Sequence, residues 1–286
     1  MSVVELDSSP KLGPLFGRAV LGMLPGMGSR RRELPDTVLV RTDVGVDPAH
    51  LAKYNEVCGF RLTDALPSTY PHILAFPLQV KLMSDPSFPF PLMGLVHVAN
   101  KITQRRPITL ADTFSLRVRV ENLRDHEKGK QFDVVSEVVP AGEAEPAWVD
   151  VSTYLRRGGG SGSAKSTKEQ LAQPTAHGIW RIPGDIGRRY AEVSGDHNPI
   201  HLYNATAKLF GFPRAIAHGM WTKAHAIAAF EGKLPDAYEV DVMFKAPVLL
   251  PAKAGFTSWP TAEGHAFELW DARKPKPHLA GSIRKI

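Results

Sequence analysis

The sequence predicts an α+β protein built from two similarly organised halves. Three observations carry this. Phe114, Leu116, Val118 and Val120 alternate with Ser115, Arg117 and Arg119, the period-two pattern of a half-buried antiparallel strand. The order strand, short helix, longer helix, strands occurs twice along the chain. Between the two runs lies Gly158-Gly159-Gly160-Ser161-Gly162-Ser163, followed by polar residues to about Gln173, which is the composition of a flexible linker. The expected units are residues 1–157 and 176–286, joined by 158–175.

The elements follow in order. Residues before about Leu34 read as a leader, with Arg30-Arg31-Arg32 as a short solvated charge run. Val38 to Val46 reads as a strand. A helix starts at Asp47-Pro48, with Asp47 as the N-cap and Pro48 where a missing N–H does no harm. It carries Tyr54 to Phe60. A stretch punctuated by Pro67, Pro71 and Pro77 leads into Leu78–Met83. Strand patterns then fill Leu95 to Arg156, with Phe132–Val139 and Trp148–Leu155 as individual strands and Asp125–Lys130 as a turn. In the second half an apolar helix follows His218, with Met220, Ala224, Ile227 and Ala228 on one face. Tyr238 to Phe244 alternates as a strand. Phe256–Trp259, His265–Ala272 and Leu279–Ile286 complete the set.

Composition narrows the function classes. The chain has 286 residues, 43% hydrophobic and 22% charged, the balance of a globular protein with a sizeable core. Cys58 stands alone, which excludes an internal disulfide and a cysteine metal cluster and suits a reducing compartment. No run approaches the roughly 18–20 apolar residues of a membrane span. The first thirty residues lack the pattern of a signal peptide, and the last three are not a peroxisomal address. A cytoplasmic protein is expected. The net charge of +6 suits an anionic small-molecule carrier, an acidic carrier protein or a nucleic acid and does not choose among them. Gly159, Ala164, Lys165 and Ser166 resemble a phosphate-binding loop, but the second glycine is missing and Pro174 stops any helix too soon.

The halves also share letters. Tyr54-x-Glu56-Val57-Cys58-Gly59 matches Tyr190-x-Glu192-Val193-Ser194-Gly195. Pro71, Leu74, Ala75, Leu78 and Lys81 match Pro213, Ile216, Ala217, Met220 and Lys223. Pro107-Ile108-x-Leu110 matches Pro247-Val248-x-Leu250. Three matches in one order indicate a duplication. The repeat is informative where it fails. Asp196 aligns with Phe60, Asn198 with Leu62, His201 with Ala65, and Gly219 with Pro77, which has no N–H to donate. A polar constellation therefore exists in one half only.

That constellation admits several readings. Asp196 alone suits a helix cap, and His201 alone a satisfied buried histidine. His197 and His201 are four apart, but Pro199 disfavours a helix between them and no glutamate accompanies them. Ser194 lacks the Gly-x-Ser-x-Gly elbow of a nucleophile. Taken together, Asp196 and His201 can hold one water, with Asn198 bonding the turn or orienting a neighbour. Gly219 opens a helix, so its N–H is unpaired there and lies at the positive end of the helix dipole. A carbonyl on that N–H gains enolate character as a proton leaves its α-carbon. The chemistry is reversible hydration of an α,β-unsaturated carbonyl compound.

Tyr190-x-x-Val193-Ser194-Gly195-Asp196-x-Asn198-Pro199-Ile200-His201, with Ala207 beyond, resembles the signature of the MaoC-like (R)-specific enoyl-thioester hydratases. His218-Gly219-Met220 is similar to that family's second motif. The whole plan resembles the fused branch with two hot-dog units, which includes 3-hydroxyacyl-thioester dehydratases of fatty-acid metabolism. The resemblance implies a double hot-dog, each unit a long helix wrapped by a curved antiparallel sheet. It implies that Asp196 and His201 bind and activate water and that Gly219 N–H binds the thioester oxygen. Ser194, Asn198 and His218 are supporting residues. No metal or cofactor is implied, and no nucleic acid. The product would be an (R)-3-hydroxyacyl thioester of coenzyme A or acyl carrier protein. The degenerate half would give room for the acyl chain, with Phe60, Leu62 and Ala65 as an apolar lining. A hot-dog thioesterase and a non-catalytic acyl-thioester-binding subunit are the competing readings. Arg105-Arg106 and Arg188-Arg189 are candidates for phosphate contacts, with solvated surface charge as the plainer reading. One chain already holds two units, so a homodimer is left open.

Overall fold

The computed structural model describes residues 2–21, 31–158 and 174–286. The linker from Gly159 to Gln173, the phosphate-loop-like residues within it, and Arg30 lie outside the described residues. The first half contains β1 (Ser2–Glu5), α1 (Leu12–Leu21), β2 (Thr37–Val44), α2 (Pro48–Cys58), α3 (Tyr70–Met83), β3 (Leu95–Gln104), β4 (Phe114–His126), β5 (Gly129–Pro140) and β6 (Trp148–Arg157). The second contains β7 (Gly178–Ile182), α4 (Ile186–Ser194), α5 (Pro199–Leu202), α6 (Asn204–Leu209), α7 (Gly219–Ala228), β8 (Tyr238–Phe244), β9 (Ala252–Pro260), β10 (Gly264–Asp271) and β11 (Pro277–Lys285).

All strands join one 11-stranded sheet in the order β1-β2-β4-β5-β6-β3-β8-β11-β10-β9-β7. Set β1 aside, and the two ends read inward in the same pattern. In each half the first strand is outermost, the third to fifth follow, and the second lies innermost. The duplication seen in the letters is thus present in the topology. The innermost strands β3 and β8 pair antiparallel, from Ala99↔Met243 to Gln104↔Tyr238. Equivalent residues meet across the joint: the rings of Tyr54 and Tyr190, which align in the repeat, lie 6.3 Å apart.

Local rules explain much of this. Asp47 Oδ1 accepts from Ala49 N at 2.9 Å and caps α2, with Pro48 in the first turn. Gly59 and Gly195 end α2 and α4 in the left-handed region, φ +86° and +73°, which glycine adopts without a Cβ penalty. The alternating face of β4 (Phe114, Leu116, Val118, Val120) is buried. One apolar cluster then runs through both halves, from Leu116 and Phe132 to Phe267 and Leu279.

Three expectations are corrected. The leader is partly structured: β1 pairs in parallel with β2, and Leu12 at the start of α1 leans on Gly195. The proline-punctuated stretch is largely one helix. Pro71 sits in the first turn of α3 and Pro77 lies inside it. Eleven of its 14 residues are buried, including Tyr70, His72, Leu78 and Gln79, and such packing outweighs the roughly 3 kcal/mol an interior proline costs. Third, Leu62 is 74% exposed, so it lines no interior pocket. Phe60 stacks on Tyr54 instead, at 6.4 Å, and Ala65 bridges to Thr109. The α7 helix is also buried more completely than one face would require, with Trp221, Thr222, Lys223 and Ala226 joining Met220, Ala224 and Ile227.

Candidate active site

The site begins where α4 ends. The Asp196 N–H donates to Ser194 Oγ at 3.2 Å, so the Ser194 hydroxyl supports the turn. Asp196 Oδ1 accepts from Asn198 N at 3.1 Å. Asn198 Oδ1 in turn accepts from Ile200 N at 3.4 Å, and Pro199 occupies the first helical position of α5. Asn198 is therefore the helix cap, and Asp196 braces it while keeping its other carboxylate oxygen free of this turn. The one turn of α5 presents His201. Its backbone packs tightly on α4: a Cβ on Gly187 would lie 2.0 Å from the His201 carbonyl oxygen.

A second segment closes on the first. His201 Nδ1 donates to Ile216 O at 2.8 Å. Ile216 is itself held by its N–H on Ile200 O and by a bridge to Leu249. His218 Nε2 donates to the Asp196 carbonyl at 3.0 Å. The His201 and His218 rings stack with centroids 3.7 Å apart, and Tyr190 lies 4.9 Å from His218. Donor atoms of Asp196, His201 and His218 all lie within 4.8 Å of one another. His201 Nδ1 and His218 Nε2 are committed to carbonyl oxygens, and His197 is exposed. What stays available is His201 Nε2, the Asp196 carboxylate and His218 Nδ1, which is buried without a partner among the described residues. One water can bridge the carboxylate and His201 Nε2.

Gly219 is the first residue of α7, so no intrahelical carbonyl accepts its N–H. In the first half the equivalent Pro77 lies inside α3, which starts at Tyr70. The second-half helix thus starts later and exposes an N–H where the first half has none. Space also selects glycine: a Cβ at Gly219 would meet the Phe244 ring at 3.1 Å.

Burial sets the electrostatics. It lowers the basicity of His201 below the ordinary imidazole value, although the Asp196 charge and the Ile216 bond oppose this. It lowers His218 further, with help from His201. His201 is accordingly a neutral imidazole at neutral pH, with its lone pair on Nε2. Sequence reasoning missed two neighbours from the first half. Tyr154 of β6 is raised by burial and then by the Asp196 charge, which places it beside the site. His97 of β3 stacks on Tyr154 at 4.7 Å and lies 5.0 Å from Phe244. Burial pushes His97 down to about 3. Neither belongs to a local motif.

A buried polar network anchors α7, and it too escaped the sequence reading. Lys223 Nζ donates to Asn100 O at 2.9 Å, to Asn100 Oδ1 and to Val240 O at 3.1 Å. Asn100 Nδ2 donates to Asp150, whose other oxygen meets His72 Nδ1. Asn100, Asp150 and Lys223 are wholly buried. The match of Lys223 with Lys81 in the repeat was the available signal. The arginine pairs, by contrast, are engaged with protein. Arg105 donates to Pro146 O, Arg106 bonds Asp112 and Glu143, Arg188 donates to Leu202 O, and Arg189 lies 3.7 Å from Glu56.

An acid, a neutral imidazole and a helix-start N–H in two hot-dog units define a class of hydratases and dehydratases, and the comparisons agree. A MaoC like domain matches residues 165–280. The chain belongs to the MaoC-like dehydratase family. It is 42% identical over 274 residues to 3-hydroxyacyl-thioester dehydratase X of Mycobacterium tuberculosis (strain ATCC 25618 / H37Rv), covering 94% of this chain and 96% of that protein. The crystal structure of HtdX from Mycobacterium tuberculosis superposes with a TM-score of 0.78 at 40% identity, over 87% of this chain and 100% of that one. A peroxisomal enoyl-CoA hydratase 2 of Arabidopsis thaliana is 27% identical over 158 residues, 50% of this chain and 51% of that protein. Among the described residues no helix is long and apolar enough to cross a membrane.

Proposed function

We propose that this chain reversibly hydrates trans-2-enoyl thioesters to (R)-3-hydroxyacyl thioesters, acting as a 3-hydroxyacyl-thioester dehydratase in the reverse direction. The observation that carries the reading is the convergence of Asp196, His201 and His218–Gly219 from separate segments into one site. Family membership supports it.

In this reading the thioester oxygen accepts from the Gly219 N–H, reinforced by the α7 dipole. A water bridges the Asp196 carboxylate and His201 Nε2. His201 takes a proton from that water as its oxygen adds to C3. Negative charge passes to the thioester oxygen as an enolate. The Asp196–His201 pair then returns a proton to C2, and the reverse steps eliminate water. Ser194 and Asn198 hold the turn, and His218 holds the Asp196 backbone. Residues 1–157 and 176–286 form the two units, with 158–175 between them. The units pair through β3 and β8, so the site needs no second copy of the chain.

The test is turnover of a trans-2-enoyl-CoA by the purified protein, followed by loss of the conjugated enone absorbance. Asp196→Asn and His201→Ala are each expected to lower kcat by roughly 10²–10⁴-fold, with an unchanged melting transition. Full activity in either variant overturns these roles. Release of free thiol from a saturated acyl-CoA, without hydration, makes the chain a thioesterase.

A further inference from the structure

A row of rings crosses the joint between the two halves on one face of the sheet. Phe132 of β5, Tyr154 of β6, His97 of β3 and Phe244 of β8 stand on four neighbouring strands. Tyr154 is the register partner of both Phe132 and His97. Ring centroids are 5.8 Å apart from Phe132 to Tyr154, 4.7 Å from Tyr154 to His97 and 5.0 Å from His97 to Phe244, close to the spacing of strands. Phe244 faces Gly219, where a Cβ would touch its ring. The row therefore starts at the N–H proposed for the thioester oxygen and leads into the first half.

The middle of this wall is polar. His97 Nε2 is buried and has no hydrogen-bond partner among the described residues. The Tyr154 hydroxyl has none among them either, although Tyr154 is only 9% exposed. His72 of α3 lies 6.2 Å from His97 with its ring nearly parallel. It donates from Nδ1 to Asp150, which turns its Nε2 away from that pair. His97 keeps part of its surface accessible, yet burial holds it neutral, so that surface belongs to a recess. Buried polar groups without partners are rare and costly, and their convergence here marks a place for a polar group of a ligand. The Lys223 ammonium is spent on Asn100 and Val240. Asp150 and Asp196 both act on Tyr154, so a neutral oxygen suits the recess and a carboxylate does not.

We infer that His97 and Tyr154 form a polar subsite for the acyl chain, so that the substrate is a 2-enoyl thioester carrying a neutral oxygen, a hydroxyl or oxo group, farther along its chain. The inference rests on the hydratase reading and names the substrate class for it. An extended chain advances roughly 1.2 Å per bond. With the thioester carbonyl beside Phe244, His97 and Tyr154 stand between roughly the fifth and ninth carbons. His72 closes the recess from α3.

The experiment measures kcat/KM for pairs of trans-2-enoyl-CoA substrates that differ only by a hydroxyl, moved carbon by carbon through that range. At the best position the wild type is expected to prefer the hydroxylated member roughly tenfold. Tyr154→Phe removes one hydroxyl and nothing else, and His97→Phe keeps a ring in the row. Each should lower the ratio roughly threefold, and the double variant should bring it near one. A wild-type ratio near one at every position means that water alone serves the recess, and it overturns the inference. A ratio that survives both substitutions also overturns it. Should no enoyl thioester be hydrated at all, the hydratase reading fails by itself, and calorimetric titration with the matching saturated acyl-CoA pair decides the subsite. Tighter binding of the hydroxylated member, lost in the double variant, supports it, whereas equal or absent binding overturns it.

Discussion

At the scale of single residues, the state of His201 decides what the site can do. Its Nδ1–H is spent on Ile216 O, so the acceptor must be Nε2. Burial lowers its pKa, and the nearby Asp196 only partly offsets this. The base form is therefore present above a pKa that lies below the ordinary imidazole value. Hydration should be level at neutral pH and fall as pH drops through that lowered value. A pH–rate profile of kcat/KM checks this, and an acid limb centred above the ordinary value would reject His201 as the base. His201 was legible in the sequence because its motif is local and breaks the repeat. Its tautomer was not, because Ile216 is brought to it by the fold.

At the scale of elements, α7 joins the chemistry to the core. Its first residue offers the N–H, and one turn on Lys223 ties the helix to β3 and β8 through Asn100 and Val240. Lys223→Met would leave Asn100 O, Asn100 Oδ1 and Val240 O buried without their donor. The expected cost is about 1–3 kcal/mol, read as a lowered denaturant midpoint. An unchanged midpoint would show that the network contributes no stability. The apolar stripe of α7 was readable, with Met220, Ala224 and Ile227 buried as expected and Ala228 only half-buried. Lys223 was not, because a lysine on a helix is ordinarily a surface residue. In α3 the burial of 11 of 14 residues outweighs the cost of the interior Pro77.

At the scale of the whole molecule, the two halves are not independent. The β3–β8 pairing makes one sheet, and Tyr154 and His97 of the first half stand beside the second-half site. A fragment of residues 176–286 would leave β8 as an unpaired edge and Lys223 without Asn100. Such an edge invites pairing with another chain. The fragment should self-associate on gel filtration and lack hydratase activity. A monomeric, fully active fragment would show that the first half is dispensable.

The sequence by itself determined the α+β class, the duplication, the Asp47 cap, strands such as Phe114–Val120 and Tyr238–Phe244, and the Asp196–His201 turn. Each is a matter of periodicity, capping or spacing within a few residues. Only the tertiary structure decided that α3 continues through Pro77 and that α7 starts late enough to expose the Gly219 N–H. It alone placed Tyr154, His97 and Lys223 around the site. Those outcomes depend on which distant segments share a space, and burial there outweighs the local preference of each residue.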